Sequence, residues 1–147
     1  MNGKRDYAGF RNQTRANGGP SAASPAAGNP PILVRRIENG IPLDVDTEST
    51  FEDALRYIED SGERMTLTVL PAPNNEQIGE LAEALNLHPL LVEDLLHAGQ
   101  RPKLEHYDDV LFLVVRSARY IDDREEVEFS EFHLIAGPQA LIIICQD

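Results

Sequence analysis

Glu93 and Asp94 are adjacent carboxylates in a segment that is otherwise mostly leucine, and His97 follows Glu93 by four residues. At about 100° per helical residue, His97 lies about 40° from Glu93 and Asp94 about 100° from it. Leu91 and Leu95 fall on the opposite side, so the girdle is buried apart from one narrow polar wedge. Hard divalent cations take oxygen ligands, and Mg2+ keeps several of its waters, so one or two carboxylates suffice to hold a hydrated ion. The same wedge has a plainer use, because any surface helix needs a polar face and acidic residues suit its first turn. Glu93 and His97 could instead form an acid–base pair, but no nucleophile or oxyanion loop accompanies them. His88, His97, His106 and His133 have no cysteine partners and no His-x-x-x-His spacing, which argues against a zinc centre. No glycine-rich phosphate loop is present.

Composition narrows the partners. The 147 residues have room for one domain with one core. Residues 1–36 carry six Lys/Arg against Asp6, net +5, and the remainder carries seven basic against 24 acidic residues, net −17. A body that acidic repels phosphate backbones and anionic lipid, so nucleic acid is a poor partner; metal cations and basic protein surfaces are better ones. The single cysteine, Cys145, rules out an internal disulfide and suits a reducing cytosol. It ends the run Leu141–Ile144 and reads as a buried core thiol. The N-terminus lacks the apolar stretch of a signal peptide, and the longest apolar runs, Ala140–Cys145 and the equally long Val110–Val115, are far short of the roughly 20 residues of a spanning helix.

The elements that must position the acidic pair follow from pattern. Residues 1–31 hold five Gly and four Pro with few large apolar groups, and read as a disordered, solvated basic tail. From 32 to 147 the text is structural. Ile32–Ile37 and Ile41–Val45 flank an Asn39-Gly40 hairpin turn. Ser49-Thr50-Phe51-Glu52 fits a capping box with Ser49 at the N-cap and Glu52 at N3, opening a helix through Ile58. Met65–Leu70 is a short strand. A second helix, capped by Asn74 or Asn75, carries Ile78, Leu81, Ala82 and Leu85 on one face. Pro89 opens the third helix, with His88 as its cap and Ala98-Gly99 as its stop. Strands follow at Lys103–His106, Val110–Tyr120, Val127–Ile135 and Ala140–Cys145. Val110–Val115 is apolar at consecutive positions, which predicts a central strand buried on both faces. Early helices and a late strand meander predict an α+β fold, with a mixed, mostly antiparallel sheet and the helices on one face. Nothing within residue 147 would cover the other face, so the expected cover lies further along the parent chain.

The stretch His88–Tyr120 resembles the N-terminal cytoplasmic domain of the CorA family of magnesium channels. His88-Pro89-Leu90-Leu91-Val92-Glu93-Asp94 is similar to that family's His-Pro-Leu-x-x-Glu-Asp helix. Gln100-Arg101-Pro102-Lys103 is similar to its Gln-Arg-Pro-Lys turn, and the strands to Arg116 and across Glu128–Gln146 match in order and spacing. The resemblance covers roughly residues 32–147 and implies an α/β/α sandwich whose second helical layer is missing here. It implies a homopentamer in the full-length protein, with Mg2+ held between this acidic pair and an acidic residue on a neighbouring subunit's stalk helix. Asp94 would then be the principal metal ligand and Glu93 its helper, in a weak regulatory site that Co2+ or Zn2+ could also enter; zinc-transporting relatives share the architecture. The stalk, two membrane helices and the Gly-Met-Asn pore signature are not in these residues, so a regulatory role is implied and transport is not. Freestanding readings remain: an acidic module for a basic protein partner and, last, a hydrolase or transferase built on Glu93 and His97.

Overall fold

Alternating polarity in the strands and helical spacing in the short segments between them generate, among the described residues, a single seven-stranded sheet with three helices. The computed structural model describes residues 31–146, so the tail expected over 1–31 lies almost wholly outside the described residues. In chain order the elements are β1 Leu33–Glu38, β2 Ile41–Asp46, α1 Phe51–Glu59, β3 Arg64–Pro71, α2 Asn75–Ala84, α3 Pro89–Leu95, β4 Lys103–Tyr107, β5 Val110–Ile121, β6 Glu126–Ala136 and β7 Ala140–Cys145. The sheet order is β2-β1-β3-β7-β6-β5-β4, with β3 and β7 parallel and every other neighbouring pair antiparallel. The α+β expectation and the mixed, mostly antiparallel sheet hold.

Local chemistry explains each turn. Asn39 and Gly40 take φ of 51° and 76°, the two positive values that a tight two-residue hairpin requires. The capping box of α1 is displaced by one residue from the expected one. Thr50 is the N-cap and Asp53 the N3 residue, each side chain accepting the other's backbone N–H. Ser49 is drawn off instead into a cluster with Asp46 and Arg36. Asn74 and Gln77 make the corresponding box on α2.

The three helices lie on one face, over the inward side chains Leu70, Phe112, Ile135 and Ile144, all nearly inaccessible. Each such side chain contributes about 1.5–3 kcal/mol relative to exposure. The other face carries Leu67 and Val69 of β3, Leu141 and Ile143 of β7, and Leu111 and Leu113 of β5. All six are only half-buried, and Met65 and Val115 beside them are exposed. Cys145 shares this open face, half-buried, and not the closed core expected for it. The expectation of a central β5 is also corrected. β5 is penultimate, and its consecutive apolar residues supply Phe112 and Val114 to the helical face and Leu111 and Leu113 to the open one. A two-faced apolar strand therefore marks a sheet that is apolar on both faces, wherever in the sheet it lies.

Candidate functional site

Helix α3 is short because Pro89 sets its first turn and Gly99, at φ 82°, ends the chain's helical course. His88 caps it as expected, its Nδ1 accepting the Leu90 N–H at 3.2 Å. Leu91 and Leu95 anchor the helix in the core, at 0% and 2% exposure. Leu90 and Leu96 are exposed, so the buried girdle is narrower than the helical projection predicts.

The acidic pair divides. Glu93 is exposed, while Asp94 is half-buried, and its Oδ2 accepts from Lys103 Nζ at 2.7 Å. Lys103 also approaches Glu105 Oε2 at 3.4 Å, and the Tyr107 hydroxyl donates to the same oxygen at 2.9 Å. The His88 ring stacks obliquely on Tyr107 with centroids 5.3 Å apart, closing a polar row along the α3/β4 seam. The hydrogen bond that Lys103 donates to Asp94 raises the ammonium pKa above its ordinary value, outweighing its partial desolvation. Tyr107 is raised too, chiefly by burial and then by its carboxylate partner. His97 turns its Nδ1 back to the Glu93 carbonyl at 2.7 Å, a helix-end contact and not a side-chain pair with Glu93. Among the described residues no three His, Cys, Asp or Glu side chains gather closely enough to hold a metal ion. Chemically the seam offers two carboxylates, Asp94 and Glu105, bridged by one ammonium, with Glu93 free at the rim.

A second acid site escapes the motif reading. Glu131 on β6 is 8% exposed, and His133 two residues on is fully buried. Glu131 Oε2 accepts from the Gly99 N–H and the Arg116 guanidinium, both at 3.1 Å, and Oε1 from the Gln100 N–H. His133 Nε2 lies 2.8 Å from Oε1, and its Nδ1 2.9 Å from Gln146 Nε2. A neutral imidazole with its proton on Nε2 satisfies both contacts, donating to Glu131 and accepting from the amide. Burial pushes the Glu131 carboxyl upward, but the hydrogen bonds from His133, the Gln100 N–H and Arg116 prevail and leave it below its ordinary value. Gln100 completes the junction, its side-chain amide donating to the carbonyls of Asp94 and His97. The Gln-Arg-Pro-Lys turn is thereby explained: Gln100 ties off α3, Pro102 precedes β4 without helix, and Lys103 reaches back to Asp94. Period-two alternation through Glu131, His133 and Ile135 was the available signal that these side chains point inward.

A family profile described as "CorA-like Mg2+ transporter protein" matches residues 62–147, more than half of the chain. The chain belongs to the CorA-like family. It is 25% identical over 96 residues to the cobalt/magnesium transport protein CorA of Thermotoga maritima, covering 65% of this chain and 27% of that protein. It is 30% identical over 70 residues to the putative metal ion transporter YfjQ of Bacillus subtilis, covering 48% of this chain and 21% of that one. The chain thus spans about a quarter of the length of these relatives. In fold it is similar to the soluble domain of CorA from Methanocaldococcus jannaschii, with TM-score 0.51 and 12% identity over 76% of this chain and 39% of the other. It is similar also to the full-length CmaX protein, with TM-score 0.63 and 13% identity over 83% of this chain and 37% of that one. No helix among the described residues of this CorA-like chain is long and apolar enough to cross a membrane.

Proposed function

We propose that this CorA-like chain is the cytoplasmic regulatory portion of a divalent-cation channel and that the α3/β4 seam is its half of a Mg2+ site. The observation that carries the reading is the division of the acidic pair, with Glu93 exposed at the rim and Asp94 held beside it by Lys103. A hydrated Mg2+ needs few protein ligands, and an interface supplies the rest from a neighbouring subunit, in a homopentamer or another ring. Glu93 meets the ion's waters. Asp94 either shares its carboxylate with the ion or releases Lys103 to Glu105. The stalk helix of the neighbour would bring the opposing acid, and helices further along the parent chain would cover the open apolar sheet face.

Charge then supplies the coupling. Each body carries a net −17 over residues 37–147, so packed subunits repel unless cations lie between them. Occupied sites favour the packed, closed arrangement, and ion loss favours separation and opening. Such control requires the ion to bind the closed state more tightly. Co2+ fits the same oxygen set, while Zn2+ would lack the nitrogen and sulfur ligands it prefers. Asp94→Asn in the full-length channel tests the assignment. Mg2+-dependent closure should weaken, and closure at unchanged Mg2+ concentration would remove Asp94 from the site.

A further inference from the structure

Helices α1 and α2 leave a trough between them, away from the α3/β4 seam. Its cavity is about 680 Å3, with Glu52, Glu59, Glu80 and Glu83 on the walls and Phe51 and Leu55 on the apolar floor. Arg56, its single cation, is already paired with Glu52 and Asp53. Glu59, Glu80 and Glu83 make no ion pair among the described residues. Leu55 also lines an adjoining cavity of about 200 Å3, whose other walls include Ile58, Leu85 and Ile135. An acidic trough opening beside an apolar cavity fits a segment that joins cationic to aromatic side chains.

This chain holds such a segment. Lys4, Arg5, Arg11 and Arg15 lie near its start, Tyr7 and Phe10 are the aromatic residues of the first 31, and Phe10 precedes Arg11 directly. Reach is ample. The residues from Arg15 to Leu33, at up to about 3.4 Å each, could span about 60 Å, well beyond the dimensions of a domain this size. α1 also lies against β1, into which that segment leads, since the Tyr57 hydroxyl donates to the Ile37 carbonyl. Tethering raises the effective concentration of a weak cationic ligand to the millimolar range.

We propose that the α1/α2 trough is a docking site for this chain's own N-terminal segment, residues 4–15. Its basic side chains meet Glu59, Glu80 and Glu83, and Phe10 enters the cavity beside Leu55. The inference is independent of the cation site. It is tested on the full chain by comparing amide NMR spectra with those of a variant carrying Lys4→Glu, Arg5→Glu, Arg11→Glu and Arg15→Glu. The expected result is shifts concentrated in α1 and α2. They should disappear at about 1 M salt, where the screening length falls to about 3 Å from about 30 Å at 0.01 M. Phe10→Ser should remove the shifts around Leu85 and Ile135, and Glu80→Lys with Glu83→Lys should reproduce the loss from the other side. Shifts elsewhere, or none, overturn the proposal. Shifts that vanish on dilution assign the trough to the segment of a second copy and overturn intramolecular docking. Binding to anionic lipid vesicles with α1 and α2 unperturbed assigns the basic residues to a membrane and likewise overturns it.

Discussion

Two acid sites flank the junction between α3 and the Gln100–Lys103 turn, and they are wired differently. Glu131 is buried and accepts from two backbone amides, a guanidinium and an imidazole. Asp94 sits half-buried against one lysine, with Glu93 beside it in solvent. A carboxylate saturated by its own chain has little left for a ligand. One held by a single exchangeable ammonium can trade that partner for a metal ion. The first arrangement fixes the turn that leads to Lys103, so one acid is spent inside the fold while the other, in the proposed cation site, stays partly open to solvent.

The largest break in that comparison is Glu131→Ala. It should cost about 3 kcal/mol in a denaturant titration, because Arg116, His133 and two backbone donors all lose their acceptor. A loss under about 1 kcal/mol would show that water replaces the carboxylate cheaply. Acid sharpens the same point. Folding lowers the Glu131 pKa from its ordinary 4.5, so its contribution is present above about pH 4.5 and is lost as pH falls through the lower folded value. Asp46 and Asp53, also lowered and chiefly by hydrogen bonds from Ser49 and Thr50, titrate in the same direction. Glu131→Gln should therefore flatten the fall in stability below about pH 4.5; an unchanged slope would place the acid sensitivity elsewhere.

The rim should behave oppositely. Lys103→Met should lower stability by only about 0.5 kcal/mol, since its ion pair is partly solvated. Glu93→Gln should change stability by less than about 0.5 kcal/mol, and a thermal melt checks both. A large loss at Glu93 would mean that it braces the fold and is not a free ligand.

Much of this fold is legible in the sequence. Pro89, Gly99 and the Asn39-Gly40 turn announce themselves because their backbone demands are local. The strand from Ala140 to Cys145 is equally plain, because its apolar run is bounded by turn residues. What failed depended on distance. Ser49 looked like an N-cap until Asp46 and Arg36 competed for its hydroxyl, leaving Thr50 to cap. β5 looked central because both its faces are apolar, yet sheet order is set by pairing partners far along the chain. The Glu93-Asp94 pair was visible as chemistry, but its division was not, since Lys103 returns to Asp94 only through a turn that Glu131 holds from β6.

The sharpest test sets two neighbours against each other in one full-length protein, by the Mg2+ concentration giving half-maximal closure. Asp94→Asn should raise that midpoint roughly tenfold, about 1.4 kcal/mol, and Lys103→Met should lower it by removing the competing charge. Midpoints that stay together, or both rise, would contradict a shared carboxylate and leave Asp94 a partner of Lys103 alone.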